Sequence, residues 1–399
     1  MNKKNNRNAQ GAGSIRKKTV ISKGKEYTYW EARYTAGVDP GTGKQVQKSV
    51  SGKTQKEVRE KLQAVSVTLN EGTYTEPSKL TVSAWLDIWL SEYTGELKTL
   101  SLSTYTGHIN NHIKPELGAV KLQALSTSQV QKLYNKLQKG SDSEEPIAPK
   151  TIKNIHGVLH KALAQAAELG YIKYNPAGPC KLPRIVKTEV KPLEEKQIAL
   201  FLQAISGHTY ERLYIVDLFT GLRQGEILGL TWDNVNFQAG TIHICKQLIH
   251  EKAKGGRYIF GTLKNDKTRL ITPAPSVMRV LQEQKQIQTE WQLKAGPLWN
   301  DTGLVFTSEF GGHLCHVTVY KQFKRIAKNI GIPSARFHDL RHTYAVAALQ
   351  SGDDVKTVQE TLGHHTAAFT LDVYGHVSER MKKESAERME QFIKGVRGA

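Results

Sequence analysis

Hydrophobic residues recur at two different periods along this chain, and this change of period limits its possible folds. Residues 27–34 alternate in polarity, and residues 45–50 follow after a turn at residues 39–43. Alternation over such short runs predicts β-strands with one covered face. From residue 54 onward, apolar residues recur three and four positions apart, which predicts helices. The chain therefore combines a small N-terminal sheet with a long and mainly helical remainder.

The helical period is interrupted by polar and proline-rich stretches. Thr54–Glu57 forms a capping box, and the helix after it has apolar residues at Val58, Leu62, Val65 and Leu69. Residues 73–79 have the composition of a linker, and helical spacing then continues to about residue 175. The tryptophans of that segment stand at helical spacing, so we interpret them as core residues. Prolines 176 and 179 end the segment.

We therefore expect a multidomain α+β protein. Residues 1–72 hold a basic tail, a small three-stranded sheet and one helix, and residues 79–178 form a helical domain. Residues 179–191 form an extended basic linker, and residues 192–399 form a mainly helical domain with a small antiparallel sheet. Residues 1–20 contain basic but no acidic side chains, and we expect them to be disordered until they meet an anion.

An excess of positive charge indicates a polyanionic partner. The chain has 56 Lys and Arg residues against 37 Asp and Glu residues, a formal net charge of +19. Such a balance favours nucleic acid over a membrane, because no long basic amphipathic segment stands out. The three cysteines lack metal-binding spacing and suit an intracellular protein. No signal peptide or membrane span is recognisable, so we expect a cytoplasmic protein.

Five residues stand in short motifs that suit chemistry at a phosphodiester. Arg223 is in Thr-Gly-Leu-Arg-Gln-Gly-Glu, His338 and Arg341 are in His-Asp-Leu-Arg-His-Thr, His364 is in Leu-Gly-His, and Tyr374 is in Leu-Asp-Val-Tyr-Gly-His. Arginines neutralise phosphate oxygens, histidines move protons, and a tyrosine can attack phosphorus. Each motif alone is more often structural, and their co-occurrence favours catalysis. No metal-nuclease pattern accompanies them, so we expect neither a metal nor another cofactor.

The local patterns place these residues at the ends of helices. The glycine before Arg223 is typical of a turn that opens a helix. His338 stands at the start of a helix over residues 339–350, three positions before Arg341 and therefore on the same face. A second short helix ends at Gly363, and His364 follows it in the turn.

These motifs resemble those of the tyrosine recombinase family, the integrases of phages and conjugative transposons. The resemblance is specific over residues 192–376, looser over residues 79–175, and mainly architectural before residue 72. It implies that residues 192–399 are the catalytic domain, that residues 79–178 are a SAM-like core-binding domain, and that residues 1–72 bind accessory arm sites on DNA.

The resemblance also implies a role for each residue of the site. Tyr374 is the nucleophile that forms a covalent 3′-phosphotyrosine, Arg223 and Arg341 stabilise the transition state, and His338 and His364 orient the phosphate and take the tyrosine proton. A lysine on a hairpin turn at residues 262–268, between strands 241–244 and 269–272, is the general acid. Lys264 fits this role best, and Lys267 is its competitor.

Such an enzyme would act on double-stranded DNA, at core and arm sites, to integrate and excise a mobile element or prophage. We expect a homo-oligomer, a tetramer on DNA, with an excisionase or a host DNA-bending protein as candidate partners. A charged helix at about residues 378–396 carries an apolar stripe, which packs on its own domain or on a neighbouring protomer. Two alternatives stay open: a relaxing enzyme similar to type IB topoisomerases, and a non-catalytic DNA-binding regulator.

Overall fold

The computed structural model describes residues 14–22, 25–38, 41–70, 79–140, 145–186, 191–251, 256–264, 266–364, 366 and 379–397. The chain divides into two compact units, residues 1–186 and residues 187–399, and each is described by itself. Within the described ranges, no helix has the length and apolar character needed to cross a membrane.

The first unit begins with a three-stranded antiparallel sheet, as the sequence predicted. Strands β1 (Ser14–Ser22), β2 (Lys25–Val38) and β3 (Gln45–Gly52) lie side by side in chain order. Helix α1 (Gln55–Asn70) covers one face, where Ala32 and Tyr34 pack against Val58 and Leu62. The Thr54 hydroxyl accepts a hydrogen bond from the backbone N–H of Glu57 at 3.2 Å, which caps α1.

The predicted disorder of residues 1–20 is wrong for the part that the structure describes. Residues 14–20 belong to β1, and the basic side chains on this strand have an acidic partner on β2. Arg16 Nη2 lies 2.8 Å from Glu31 Oε2, and Lys18 Nζ lies 3.4 Å from Glu31 Oε1. The basic composition of the segment did not reveal this partner on the next strand. Residues 1–13 lie outside the described residues.

The remainder of the first unit is helical. Its elements are α2 (Val82–Glu92), α3 (Thr99–His108), α4 (Lys114–Leu117), α5 (Thr127–Lys139) and α6 (Pro149–Glu168), with a π-helical turn at Ile109–Ile113 between α3 and α4. Trp85 and Trp89 are buried in the core, and the Trp85 indole donates to the carbonyl of Ala162 at 2.9 Å. The interpretation of these tryptophans as core residues is therefore confirmed.

The second unit is mainly helical with a small sheet. Its helices are α7 (Glu195–Ile205), α8 (Glu211–Thr220), α9 (Gln224–Leu228), α10 (Pro275–Ala295), α11 (His316–Asn329), α12 (Asp339–Gln350), α13 (Val355–Leu362) and α14 (Glu379–Arg397). One core joins α7 to α11, and a smaller one lies between α12 and α13. On α14, the side chains of Met389, Phe392 and Val396, which belong to the apolar stripe, are exposed in the part of the chain that the structure describes.

The strands of this unit correct one detail of the sequence interpretation. Strands β4 (Val235–Asn236), β5 (Thr241–Ile244) and β8 (Arg269–Ile271) form one antiparallel sheet. A separate hairpin, β6 (Gln247–Glu251) and β7 (Arg257–Gly261), is inserted between β5 and β8. Residues 262–268 are therefore not a hairpin turn between β5 and β8, because they connect two different sheets.

Candidate active site

A left-handed glycine brings Arg223 to the start of α9. Helix α8 ends at Gly221, whose φ of 62° is a conformation that glycine adopts without strain. A Cβ atom at this position would also stand 2.6 Å from Cδ1 of Tyr344, so the glycine allows α8 and α12 to approach closely. Two residues later, Arg223 precedes α9 in an extended conformation. The sequence prediction of a turn that opens a helix holds here.

Arg341 lies on α12 and is almost fully buried, with 1% of its surface exposed. Its Nη1 donates to the carbonyl oxygen of Gly221 at 2.7 Å, and its Nη2 donates to the carbonyl oxygen of Leu362 at 2.5 Å. One guanidinium thus joins the end of α8 to the end of α13. These bonds fix the position of Arg341 beneath the start of α9.

The end of α13 brings His364 to the same place. Gly363 closes the helix in the left-handed conformation, with a φ of 64°, and the backbone N–H of His364 donates to the carbonyl of Gln359 at 3.0 Å. Arg223 Nη2 donates to the carbonyl of Gly363 at 3.2 Å. Arg341 and Arg223 therefore hold two successive carbonyls, and His364 is the next residue.

Glu226 is a buried carboxylate that organises this region. It accepts hydrogen bonds from Arg223 Nη1 at 2.7 Å and from Arg269 Nη2 at 2.6 Å, and its exposed fraction is 1%. Burial alone would raise the pKa of Glu226. The hydrogen bonds and charge of Arg269 and the charge of Arg223 outweigh burial and lower this pKa to about 2. Glu226 is consequently a fixed negative charge at neutral pH.

The histidines of the site are neutral at physiological pH in the protein without DNA. Burial and the charges of Arg341 and Arg223 lower the pKa of His364 to about 3. The His338 ring keeps an exposed surface, but partial burial and the charges of His342 and Arg341 lower its pKa to about 4. The buried His342 ring lies edge-on to the ring of His338, with centroids 4.8 Å apart. Neutral imidazoles can accept protons, which is what a general base requires.

A pocket of about 340 Å³ opens beside these groups. Arg223, Arg269 and His364 line it, together with Lys267 from the segment that connects β7 to β8. Lys264 is exposed on the same segment. Tyr374 lies outside the described residues. The structure thus brings Arg223 and Arg341 to the carbonyls just before His364, and His338 lies at the start of α12, the helix that carries Arg341.

One basic and one acidic residue of this region, Arg269 and Asp217, could not be recognised as important from the sequence. Arg269 is the first residue of the predicted strand 269–272, and nothing in its local sequence indicates that it shares Glu226 with Arg223. Asp217, on α8, has 1% of its surface exposed, and neither carboxyl oxygen has a hydrogen-bond partner among the described residues. Burial raises the pKa of Asp217 well above its usual value, and the charge of Arg341 opposes this effect. An isolated aspartate in an apolar helix gives no sequence signal of its burial.

A metal site would need several His, Cys, Asp or Glu side chains close together among the described residues. Among them, no group of three or more His, Cys, Asp or Glu side chains is arranged to hold a metal ion. The site described above is instead rich in arginine, and arginine is not a metal ligand in proteins.

Comparisons with known proteins agree with this geometry. Residues 191–381 match the Phage integrase family, and residues 81–138 match the SAM-like N-terminal domain of phage integrases. The chain is 31% identical over 397 residues to a protein named tyrosine recombinase XerC-like from Caldanaerobacter subterraneus, with 95% of this chain and 99% of the relative covered. The chain therefore belongs to the phage integrase family of tyrosine recombinases, and it is a site-specific recombinase.

Solved structures share the fold. The Tn1549 transposon integrase, solved in complex with transposon right end DNA, has a TM-score of 0.64 at 21% identity, over 78% of this chain and 100% of that chain. A lambda integrase dimer bound to a COC′ core site has a TM-score of 0.56 at 20% identity, over 90% of this chain and 96% of that chain. The predicted fold class and family are thus confirmed.

Proposed function

We propose that this recombinase cleaves and rejoins DNA through a covalent 3′-phosphotyrosine, with Tyr374 as the nucleophile. The observation that carries this proposal is the meeting of two arginines and one histidine at the end of α13. Arg341 and Arg223 donate to the carbonyls of Leu362 and Gly363, and His364 follows directly. Two fixed cations beside a neutral imidazole suit a phosphodiester whose negative charge grows in the transition state.

The two arginines differ in how a phosphate reaches them. The Arg223 side chain is 22% exposed and lines the pocket, so it is open to the scissile phosphate. Arg341 is buried and already donates to two carbonyls. Arg223 therefore meets the phosphate first, and Arg341 adds its positive charge from below. Contact between Arg341 and a phosphate oxygen requires a local rearrangement when DNA binds.

The proton transfers follow from the histidines and a lysine. His338 accepts the proton of the Tyr374 hydroxyl as its oxygen attacks phosphorus, and His364 hydrogen-bonds a phosphate oxygen. The bond from phosphorus to the 5′ oxygen breaks, and Lys264 donates a proton to that oxygen. Lys267 is the alternative acid, because it lines the same pocket as Arg223 and His364. Attack by a 5′-hydroxyl of a partner strand reverses the step and releases Tyr374.

In this proposal, the two N-terminal domains bind DNA and hold it at the catalytic groups. Residues 1–72 bind arm sites, residues 79–178 bind the core site, and residues 192–399 hold the catalytic groups. On β1 and β2, the face opposite α1 carries Arg16, Lys18 and Arg33, a cationic surface suited to phosphates. Four protomers assemble on two DNA sites, and the exposed stripe of α14 contacts a neighbouring protomer. An excisionase or a host DNA-bending protein would set the direction of the reaction.

The decisive experiment is Tyr374→Phe on a nicked suicide substrate that traps the covalent adduct. The wild-type protein should form a protein–DNA adduct that denaturing gels resolve, and Tyr374→Phe should bind the DNA but form none. Tyr320→Phe is the matched control, because Tyr320 is a partly exposed tyrosine of α11. An adduct that persists in Tyr374→Phe, or none in the wild type, contradicts the proposal. A recombinase should exchange DNA strands between two sites, whereas a topoisomerase-like enzyme should only relax supercoiled DNA that carries one site.

A further inference from the structure

Three arginines, and not two, hold the end of α13. Arg341 and Arg223 donate to the carbonyls of Leu362 and Gly363, and the Nε of Arg269 donates to the carbonyl of Thr361 at 2.7 Å. The last carbonyls of a helix lack partners within the helix and carry partial negative charge. Three successive carbonyls of α13 therefore each receive one guanidinium.

Arg269 is suited to this position by the shape of its side chain. Its Nη1 and Nη2 donate to the two oxygens of Glu226, at 3.2 and 2.6 Å, while Nε faces Thr361. A guanidinium presents donors in a rigid plane and can serve three acceptors at once, whereas a lysine ammonium is a compact point charge. The Arg269 side chain is 9% exposed, so these hydrogen bonds are shielded from water.

The packing around Arg269 leaves little freedom. A Cβ atom added to Gly363 would lie 3.2 Å from both Cδ and Nη1 of Arg269, so the chain just before His364 passes directly over this guanidinium. Arg269 also begins β8, directly after the segment that carries Lys264 and Lys267. One side chain thus connects β8, Glu226 and the turn that precedes His364.

We propose that Arg269 is a positioning residue of the recombination reaction, which sets the placement of Arg223 and His364 without contacting DNA itself. It acts through Glu226 on Arg223 and through Thr361 on the turn that bears His364. This inference rests on the proposed function, because it assigns Arg269 a role in the same cleavage step. Loss of Arg269 should slow chemistry and leave DNA binding nearly unchanged.

The test compares Arg269→Met and Arg269→Lys with the wild type on the suicide substrate at saturating DNA. We expect Arg269→Met to form the adduct about 10- to 100-fold more slowly, because small displacements of catalytic groups have large effects on rate. DNA affinity should stay within about threefold, as expected for a group that binds no phosphate. Arg269→Lys keeps the charge but not the three hydrogen bonds, so its rate of adduct formation should lie between those of the wild type and Arg269→Met.

A pH profile distinguishes positioning from loss of fold. Arg269 opposes the effect of burial on Glu226, so Arg269→Met should raise the pKa of Glu226. The variant should then lose cleavage activity on acidification at a higher pH than the wild type does. Arg257→Met is the matched control, because Arg257 on β7 pairs with Glu251 while its side chain stays 68% exposed. This control should cleave at the wild-type rate.

The outcomes separate this inference from the proposed function. If the wild type cleaves DNA and Arg269→Met cleaves it with the same rate and pH profile, the positioning role is overturned and the proposed function is not. If the wild type forms no adduct, the proposed function fails, and a double-variant cycle in urea unfolding then tests the role of Arg269. Arg269→Met and Glu226→Gln should be strongly non-additive in that cycle, and additive effects would overturn the inference.

Discussion

Two glutamates of this protein each gather several cations, but they lie in very different surroundings. Glu31 on β2 accepts from Arg16 and Lys18 on the open face of a thin sheet. Glu226 on α9 accepts from Arg223 and Arg269 inside the second unit. Partner residues lower the pKa of both carboxyls, led by the Arg16 hydrogen bond at Glu31, and the pKa of Glu226 falls to about 2 despite burial.

The two clusters differ in how easily water can replace the carboxylate as the partner of the cations. The Glu31 side chain is itself only 9% exposed, but the side chains of its three cations are 41 to 54% exposed, so solvent and salt can replace the carboxylate as their partner. At Glu226, the carboxylate is 1% exposed and its Arg269 partner is 9% exposed. A cluster at the surface can attract a phosphate from a distance, whereas a buried one fixes where each donor points.

The largest effect is expected for Glu226→Gln, which removes the buried charge while keeping the size of the side chain. It should destabilise the protein by about 3 kcal/mol, the usual cost of breaking a buried ion pair from one side. It should also slow adduct formation about 100-fold, because Arg223 loses its support. Urea unfolding and suicide-substrate cleavage measure the two effects. If Glu226→Gln were as stable as the wild type, the Glu226 carboxylate would contribute no more to stability than we expect for Glu31.

Asp217 sharpens the comparison, because it is a buried carboxyl without an arginine hydrogen bond. Its folded pKa is raised above the unfolded value of about 3.9, so the folded state binds more protons and stability falls as pH rises above about 4. Asp217→Asn should therefore be more stable than the wild type by about 1 to 3 kcal/mol near pH 8. The advantage should shrink near pH 5. Urea unfolding at the two pH values checks this, and identical pH dependence of both proteins contradicts it.

The stability contributed by His342 and His364 should depend on pH in the opposite direction, because burial lowers the pKa of a histidine. The pKa values of His342 and His364, about 4 and about 3 when folded, lie below the unfolded value of about 6.5. The unfolded chain binds more protons in this window, so stability is present above about pH 6.5 and is lost as pH falls. The drop in melting temperature from about pH 7.5 to about pH 5.5 should be smaller in His364→Asn, by about 2 °C. An equal drop in both proteins would argue against a half-buried, neutral His364.

The smallest effect is expected for Glu31→Gln on the sheet. The unfolding transition should not change measurably, because water can replace the lost partner of Arg16 and Lys18. Removal of one negative charge from a cationic face should raise DNA affinity about two- to threefold at low salt, and the gain should vanish at high salt. DNA titrations at two salt concentrations measure this. A marked loss of stability would remove the distinction between the two glutamates.

Several features of the site followed from short-range rules. Gly363 as the cap of α13, the start of α12 at His338 and the turn before Arg223 all depend on neighbouring residues, and the structure agrees with each. The hairpin of β6 and β7 was missed because it is short and lacks strict alternation. The sequence predicted three strands but did not locate β1, because its segment is basic and the acidic partner Glu31 lies 15 residues from Arg16.

The sequence by itself determined the family, the fold class and the chemical groups, because these depend on residue types at fixed local spacing. The tertiary structure decided which of those groups meet. Arg341 reaches Gly221 across 120 positions, and Arg223 reaches Gly363 across 140. Arg269 gains its importance only when β8 packs beside α13 and its side chain reaches Glu226 on α9. Burial of Glu226 and Asp217, and with it their opposite pKa shifts, depends on the same long-range packing, which local spacing does not encode.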